Sequence, residues 1–295
     1  MEPAPSPSRP SSTGHVWHAG RLVPYTLVDR RAPGPRPAIL VVVPCYNAGR
    51  WVPGCLASLA ANDEPHDILL VDDGSDPALA LPAADNFVLC RFRANAGVIT
   101  ARNFAAAFAC EQGYTYYAPL DADDLAHPDR LRRQRAAIER DDAVLSLTGI
   151  RAIDETGSAL WSAPADFDEA GFRRLLQSRN PSAQSTWMIR TDAFALAGCY
   201  DERFKGAEDF EIMQRLARAG RIAIIADPLV DYRVHGGSAL SASRLPALQS
   251  LRIIARGFHP ARAATYYGVA RAAAAALAPR GLKTAARRLL ARRRG

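Results

Sequence analysis

The sequence predicts an α/β fold, a single doubly wound, mostly parallel sheet with helices on both faces, followed by a basic helical tail. Three observations carry this. Short apolar β-branched runs recur through the first half of the chain, and helical patterns alternate with them. Each apolar run ends in a cluster of polar residues, which gathers those clusters on one edge of the sheet.

The elements follow in order. Ile39-Leu40-Val41-Val42-Val43 has the continuous apolar composition of a buried parallel strand. It ends in Pro44-Cys45-Tyr46-Asn47, and the next helix sets Trp51, Cys55 and Leu59 on one face. Ile68 to Val71 forms a second run, ending in Asp72-Asp73-Gly74-Ser75. Phe87 to Cys90 forms a third, leading to Asn95-Ala96-Gly97 and a helix that carries Arg102 and Asn103. Tyr114 to Leu120 ends in Asp121-Ala122-Asp123-Asp124, and Pro128 opens the helix beyond. A later helix begins at Asp209 and turns Phe210, Met213 and either Leu216 or Ala217 toward the core.

Three carboxylates within Asp121–Asp124 repel one another unless a cation sits among them. Hard oxygen ligands suit Mg²⁺ or Mn²⁺, which keep a few carboxylates together with substrate phosphates. The cluster therefore suggests a metal-assisted reaction of a phosphorylated substrate. Taken alone, a solvated acidic turn is the competing reading. Asp209 alone reads first as a helix cap, and His235 equally as a hydrogen-bonded loop histidine.

The segments VVVPCYNAGRW, ILLVDDGSD, NAGVITARN, LDADD, GCYDERFKGAEDFEIMQRL and YRVHGGSAL, in this order across residues 38–240, resemble the family 2 glycosyltransferases of GT-A fold. The resemblance implies an inverting, non-processive, hexosyltransferase-like enzyme. Pro44 and Tyr46 match the wall of its nucleotide-base pocket. Asp72 matches a carboxylate that accepts a hydrogen bond from base or ribose. Asn95, Gly97 and Arg102 match the segment beside ribose and diphosphate. Asp121 and Asp123 match the DXD motif, the first facing the ribose or a metal-bound water and the second ligating Mn²⁺ or Mg²⁺. Asp209 matches the general base, with Glu208 beside it as a second catalytic candidate. His235 matches a histidine that helps to hold metal or diphosphate. Processive members carry Gln-x-x-Arg-Trp and membrane spans. Here Gln249 and Arg252 are followed by Ile253, so both read as chance residues on an amphipathic helix. The competing class is a non-catalytic nucleotide-sugar-binding or surface-tethered scaffold, which predicts decay of the metal and base positions. Both are intact.

Length and composition bound the rest. With 295 residues, 48% of them hydrophobic, the chain can bury a sizeable core. Residues 1–36 read as a mostly disordered proline-rich leader, with a short edge strand at Val23 to Val28 and no secretory signal. Residues 37–240 form the catalytic domain and 241–295 a basic helical extension. No stretch reaches the ~20 apolar residues of a membrane span. The five cysteines are odd in number and lack C-x-x-C spacing; Cys45, Cys55, Cys90 and Cys110 fall on or beside core elements. Free thiols of a cytoplasmic protein are expected.

Charge is segregated. From Tyr232 onward there are 13 basic and no acidic residues, whereas the preceding part carries 24 basic against 30 acidic. Leu282, Ala286, Leu289 and Arg293 share a stripe flanked by Lys283, Arg287 and Arg292, which points to an anionic membrane surface, peripheral at its inner face. The alternative is a set of helices that covers the core. No aromatic stacking pattern accompanies the arginines, so nucleic acid is not expected as a partner. The expected partners are a nucleotide-diphosphate sugar, UDP-linked in the first instance, and a glycan or lipid-linked acceptor. Residues 150–200, including Trp161, are expected to shape the acceptor side.

Overall fold

The computed structural model describes residues 12–80, 86–235 and 244–277. In chain order these form β1 (Ser12–His18), β2 (Arg21–Asp29), β3 (Ile39–Cys45), α1 (Val52–Ala60), β4 (His66–Asp72), β5 (Phe87–Phe92), α2 (Val98–Glu111), β6 (Tyr116–Pro119), β7 (Leu125–Ala126) and α3 (Arg130–Asp141). They continue with β8 (Ala143–Ile153), β9 (Ala159–Ala163), α4 (Glu169–Leu176), β10 (Trp187–Arg190), α5 (Thr191–Leu196), α6 (Glu208–Ala219), β11 (Arg221–Arg233), α7 (Leu245–Arg256) and α8 (Ala263–Leu277).

All eleven strands belong to one sheet, in the order β1-β2-β5-β4-β3-β6-β10-β8-β11-β7, with β9 paired to β8. The central strands β5, β4, β3 and β6 run parallel. Toward the edges the pairing becomes mixed: β10 is antiparallel to β6 and β8, and β11 is parallel to β8. Every residue of β3 is buried because each face meets a helix layer. Ile39, Val41 and Val43 pack with Val52, Cys55 and Leu59 of α1 and Leu131 and Ile138 of α3. Leu40 and Val42 point the other way, into a cluster with Ala101 and Ala105 of α2 and Met213 and Leu216 of α6. The parallel direction delivers the ends of β3, β4 and β6 to one edge.

The leader expectation is corrected for residues 12–22, which form β1, a turn and the start of β2, while the strand read at Val23 to Val28 is present as part of β2. β1 and β2 form an antiparallel hairpin through Ala19 and Gly20, whose φ values of 48° and 79° suit the tight turn. β2 then adds antiparallel to β5 over Tyr25–Asp29. What holds it is apolar. Val23 is buried, and Tyr25 meets Phe104 edge-on with centroids 4.9 Å apart.

The C-terminal extension, as far as it is described, packs on the catalytic domain. Ile253 and Ile254 of α7 and Ala272 and Ala276 of α8 are buried. Gln249, expected to be incidental, donates to the Arg203 carbonyl at 2.9 Å and accepts from Arg252 at 3.0 Å. The stripe Leu282–Arg293 lies outside the described residues. Among those residues, no helix is long and apolar enough to cross a membrane. Cys45, Cys55 and Cys90 are buried, whereas Cys110 is exposed and does not share the core position expected of it.

Candidate active site

The strand ends are laced into a floor. Pro44 is buried in β3, and Tyr46 just beyond it is 52% exposed. Asn47 donates its backbone N–H to Ser75 Oγ at 3.0 Å and accepts from the Asp76 N–H at 2.9 Å, joining the β3 and β4 loops. Asp72 was expected to receive a nucleotide hydrogen bond, and the structure assigns it other partners. Its carboxylate is fully buried and accepts from the N–H groups of Ser75 (3.0 Å) and Leu79 (3.2 Å) and from Arg91 Nε (3.1 Å). Arg91 stands on the neighbouring strand β5, so burial of Asp72 satisfies a charge and closes the turn above it. Asp73 does the equivalent for the next loop. It accepts from Ala96 N–H (2.7 Å), Gly97 N–H (2.8 Å) and Asn95 Nδ2 (3.0 Å). Gly74, at φ +74°, lets the two loops touch: a Cβ there would stand 2.6 Å from the Ala94 and Asn95 backbone.

Arg102 organises the acidic loop. It lies on α2 and is almost wholly buried. Nη2 donates to Asp121 Oδ1 at 2.7 Å and Nη1 to Glu208 Oε1 at 3.3 Å. Burial alone lowers its pKa, but the charges of Asp121, Tyr200 and Glu208 outweigh that and raise it. One guanidinium thus ties the end of β6 to the head of α6. Asp124 turns inward, accepting from Ser185 Oγ at 2.5 Å and from the Arg233 N–H at 2.9 Å. Burial, with the charges of Asp121 and Asp123 beside it, pushes it well above the usual carboxylate range.

Asp123 faces outward, its side chain 27% exposed, with Oδ2 2.8 Å from His235 Nε2. The ring of His235 lies 6.0 Å from that of Trp51. Trp51 does not lie within the helix beside Cys55 and Leu59, as its spacing suggests. It precedes α1, half-buried, with the guanidinium of Arg50 at 4.3 Å and that of Arg233 at 4.4 Å from the ring centroid. Among the described residues, no three His, Cys, Asp or Glu side chains surround a common point. A carboxylate and an imidazole completed by diphosphate oxygens nevertheless suit Mg²⁺ or Mn²⁺, which take few protein ligands when a phosphate is present.

Asp209 stands in the first turn of α6, beyond Ala207 at the cap. Oδ2 accepts from Asn180 Nδ2 at 3.0 Å and Oδ1 from the Phe210 N–H at 2.7 Å. Burial and the neighbouring Glu208 charge raise its pKa to about 6, against the opposing hydrogen bonds and Arg102. Glu208 occupies a different environment from the second catalytic role expected of it. Only 9% of its side chain is exposed, and its oxygens meet Arg102 and the Gly206 N–H (2.7 Å). The site thus brings Asp121, Asp123, Arg102, His235 and the Glu208–Asp209 pair to one edge, with Asn95 and Gly97 on the adjoining loop. The sequence reading missed Asp73, Ser185 and Asn180 as partners within it. Only the doubled Asp72-Asp73 gave a sequence signal, because the Asn180 and Ser185 contacts join segments remote in sequence.

Residues 40–196 match the family model described as glycosyl transferase family 2. An uncharacterized glycosyltransferase of Rickettsia felis is 26% identical over 206 residues, covering 68% of this chain and 33% of its own length. The chain therefore spans about a third of that relative. Among solved structures, S. aureus TarS in complex with UDP-GlcNAc aligns with a TM-score of 0.59 at 18% identity, covering 80% of this chain and 72% of the other. The mannosyltransferase PcManGT from Pyrobaculum calidifontis, in complex with GDP-Man and Mn²⁺, aligns with a TM-score of 0.54 at 18% identity, covering 89% and 83%. With more than half of its length matched by the family and its sheet shared with these structures, the chain belongs to glycosyl transferase family 2 and has a GT-A fold.

Proposed function

We propose that this glycosyltransferase moves a hexose from a nucleotide-diphosphate sugar to a hydroxyl of a glycan or lipid-linked acceptor, with inversion, in cell-envelope polysaccharide synthesis. It adds one sugar or a few per encounter. One observation carries the reading: Arg102 joins Asp121 to Glu208, which sets the raised-pKa carboxylate of Asp209 beside the DXD loop. The UDP-GlcNAc of the TarS structure and the GDP-Man and Mn²⁺ of the mannosyltransferase structure support a nucleotide-sugar donor and a divalent metal. UDP is the expected nucleotide.

In this mechanism Tyr46 and the loop beyond β3 flank the base, while Asn95, Gly97 and Arg102 flank ribose and diphosphate. Asp123 and His235 would hold Mg²⁺ or Mn²⁺, which neutralises charge on the departing diphosphate. Arg102 keeps Asp121 oriented toward the donor. Asp209 takes the proton of the acceptor hydroxyl on the sugar face opposite the leaving group, and a single displacement inverts the anomeric centre. A pKa of about 6 leaves Asp209 ionised at neutral pH and more basic than an ordinary carboxylate. The basic extension would hold the enzyme at an anionic membrane surface on the cytoplasmic side.

The test is a donor screen. UDP-, GDP- and dTDP-sugars are offered with Mn²⁺ or Mg²⁺, and free nucleotide is measured. Release from one donor class that stops with EDTA supports the reading. Tight donor binding with no release above the uncatalysed rate would leave a scaffold.

A further inference from the structure

Asp209 receives one side-chain hydrogen bond, and its source is constrained from two sides. Asn180 lies in the loop after α4 and donates Nδ2–H to Asp209 Oδ2 at 3.0 Å. Its amide orientation is fixed because Oδ1 accepts from both the N–H and the Oγ–H of Ser182, each at 3.2 Å. Ser182 Oγ in turn accepts from Nε1 of Trp187, a fully buried indole on β10, at 2.9 Å. The chain Trp187–Ser182–Asn180–Asp209 thus runs from the sheet to the carboxylate.

The other side of that loop meets α8. Gly268 lies against it so closely that a Cβ would stand 2.8 Å from Ser178 Cα. Arg271, three residues on, donates Nη2–H to the Ser178 carbonyl at 3.1 Å. Ser178 is buried. The extension after the catalytic domain therefore presses on the segment that aims Asn180.

We propose that Asn180 is the positioning residue of Asp209, and that α8 is part of the catalytic apparatus because it clamps the loop carrying Asn180. This deepens the reading of Asp209 as the base and rests on it. A neutral amide donor stabilises the carboxylate without titrating itself, unlike the groups that face Asp209 from elsewhere: Glu208 on its own helix, Arg102 on α2, Tyr200 from the loop before α6 and Tyr232 on β11.

Two readouts test this. One is the pH profile of donor hydrolysis. The other is direct NMR titration of the Asp209 carboxyl in protein with ¹³C-labelled aspartate. Asn180→Ala should move both midpoints upward from about 6 by about one pH unit, because the charged form loses a donor, with donor KM unchanged. Arg271→Ala should move them the same way by a smaller amount. If Asn180→Ala does not fold, Asn180→Asp keeps the side-chain size and makes the same test, since a second carboxylate at that distance raises the midpoint further. Unshifted midpoints in the Asn180 variant overturn the proposal while Asp209→Asn remains inactive. Unshifted midpoints in Arg271→Ala overturn the role of α8. Full turnover in Asp209→Asn would instead overturn the base assignment beneath it, and the titration of Asp209 would still show whether Asn180 sets its pKa.

Discussion

Replacing Arg102 by Met tests the element that joins the two halves of the site. Methionine keeps much of the buried stem and removes the guanidinium. Glu208 then keeps the Gly206 N–H as a donor, with 9% of its side chain exposed. Breaking a buried ion pair by removing one partner costs about 3–5 kcal/mol. Asp121 is 37% exposed and solvent screens it, so its share is held to about 1 kcal/mol or less. At roughly 2–4 °C per kcal/mol for a domain of this size, the melting temperature should fall by about 6–20 °C at pH 7. The assay is calorimetry of wild type and variant at pH 7 and pH 5. An unpaired buried carboxylate has a folded pKa above its unfolded value, so its protonated form favours the folded state. That stabilisation is present at low pH and lost as pH rises through the folded pKa. The gap from wild type should therefore narrow at pH 5, and Arg102→Met/Glu208→Gln should recover most of the loss. A fall below 2 °C, or a double variant less stable than the single one, would refute the bridging role.

Four further outcomes follow from the same geometry. Asp123→Ala should keep the fold and lose metal-dependent UDP binding; wild-type affinity for UDP with Mn²⁺ in calorimetry would sink the ligand assignment. Asp209→Asn should keep donor affinity and lose turnover by roughly 10²–10⁴, and in wild type the rate should rise with pH through about 6, whereas a limb near 4 would point to another base. Gly74→Ala should cost about 2 kcal/mol or more and raise donor KM, because φ +74° and a 2.6 Å approach to the Ala94–Asn95 backbone both oppose a Cβ; an unchanged melting temperature contradicts this. Removal of residues 278–295 should reduce sedimentation with anionic liposomes in a salt-sensitive way, and equal sedimentation of both forms would assign the extension to covering the core alone.

The centre of the sheet was legible because parallel strands covered on both faces must be apolar at every position, as in Ile39–Val43. Of the β1–β2 hairpin only the stretch Val23 to Val28 was legible as a strand; β1 was not, since its residues alternate between exposed and half-buried and none is buried. At the site, Asp121 and Asp123 stood out by type and spacing, and the family resemblance singled out Arg102 and Asp209. The division of labour between neighbours did not. Asp72 is consumed by Arg91 and the turn above it, and Glu208 by Arg102, and both depend on what folds over the carboxylate. Trp51 read as sharing a helix face with Cys55 and Leu59 because of its spacing, while the guanidinium groups that stack on it come from Arg50 and the distant Arg233.

The central claim is single displacement driven by one carboxylate, and product stereochemistry tests it most directly. With the donor found by the screen and methanol as a small acceptor, the methyl glycoside formed can be read by proton NMR without mutarotation. An α-linked donor should give the β-glycoside, with product lost in Asp209→Asn. An α-glycoside from the wild-type enzyme would contradict the account.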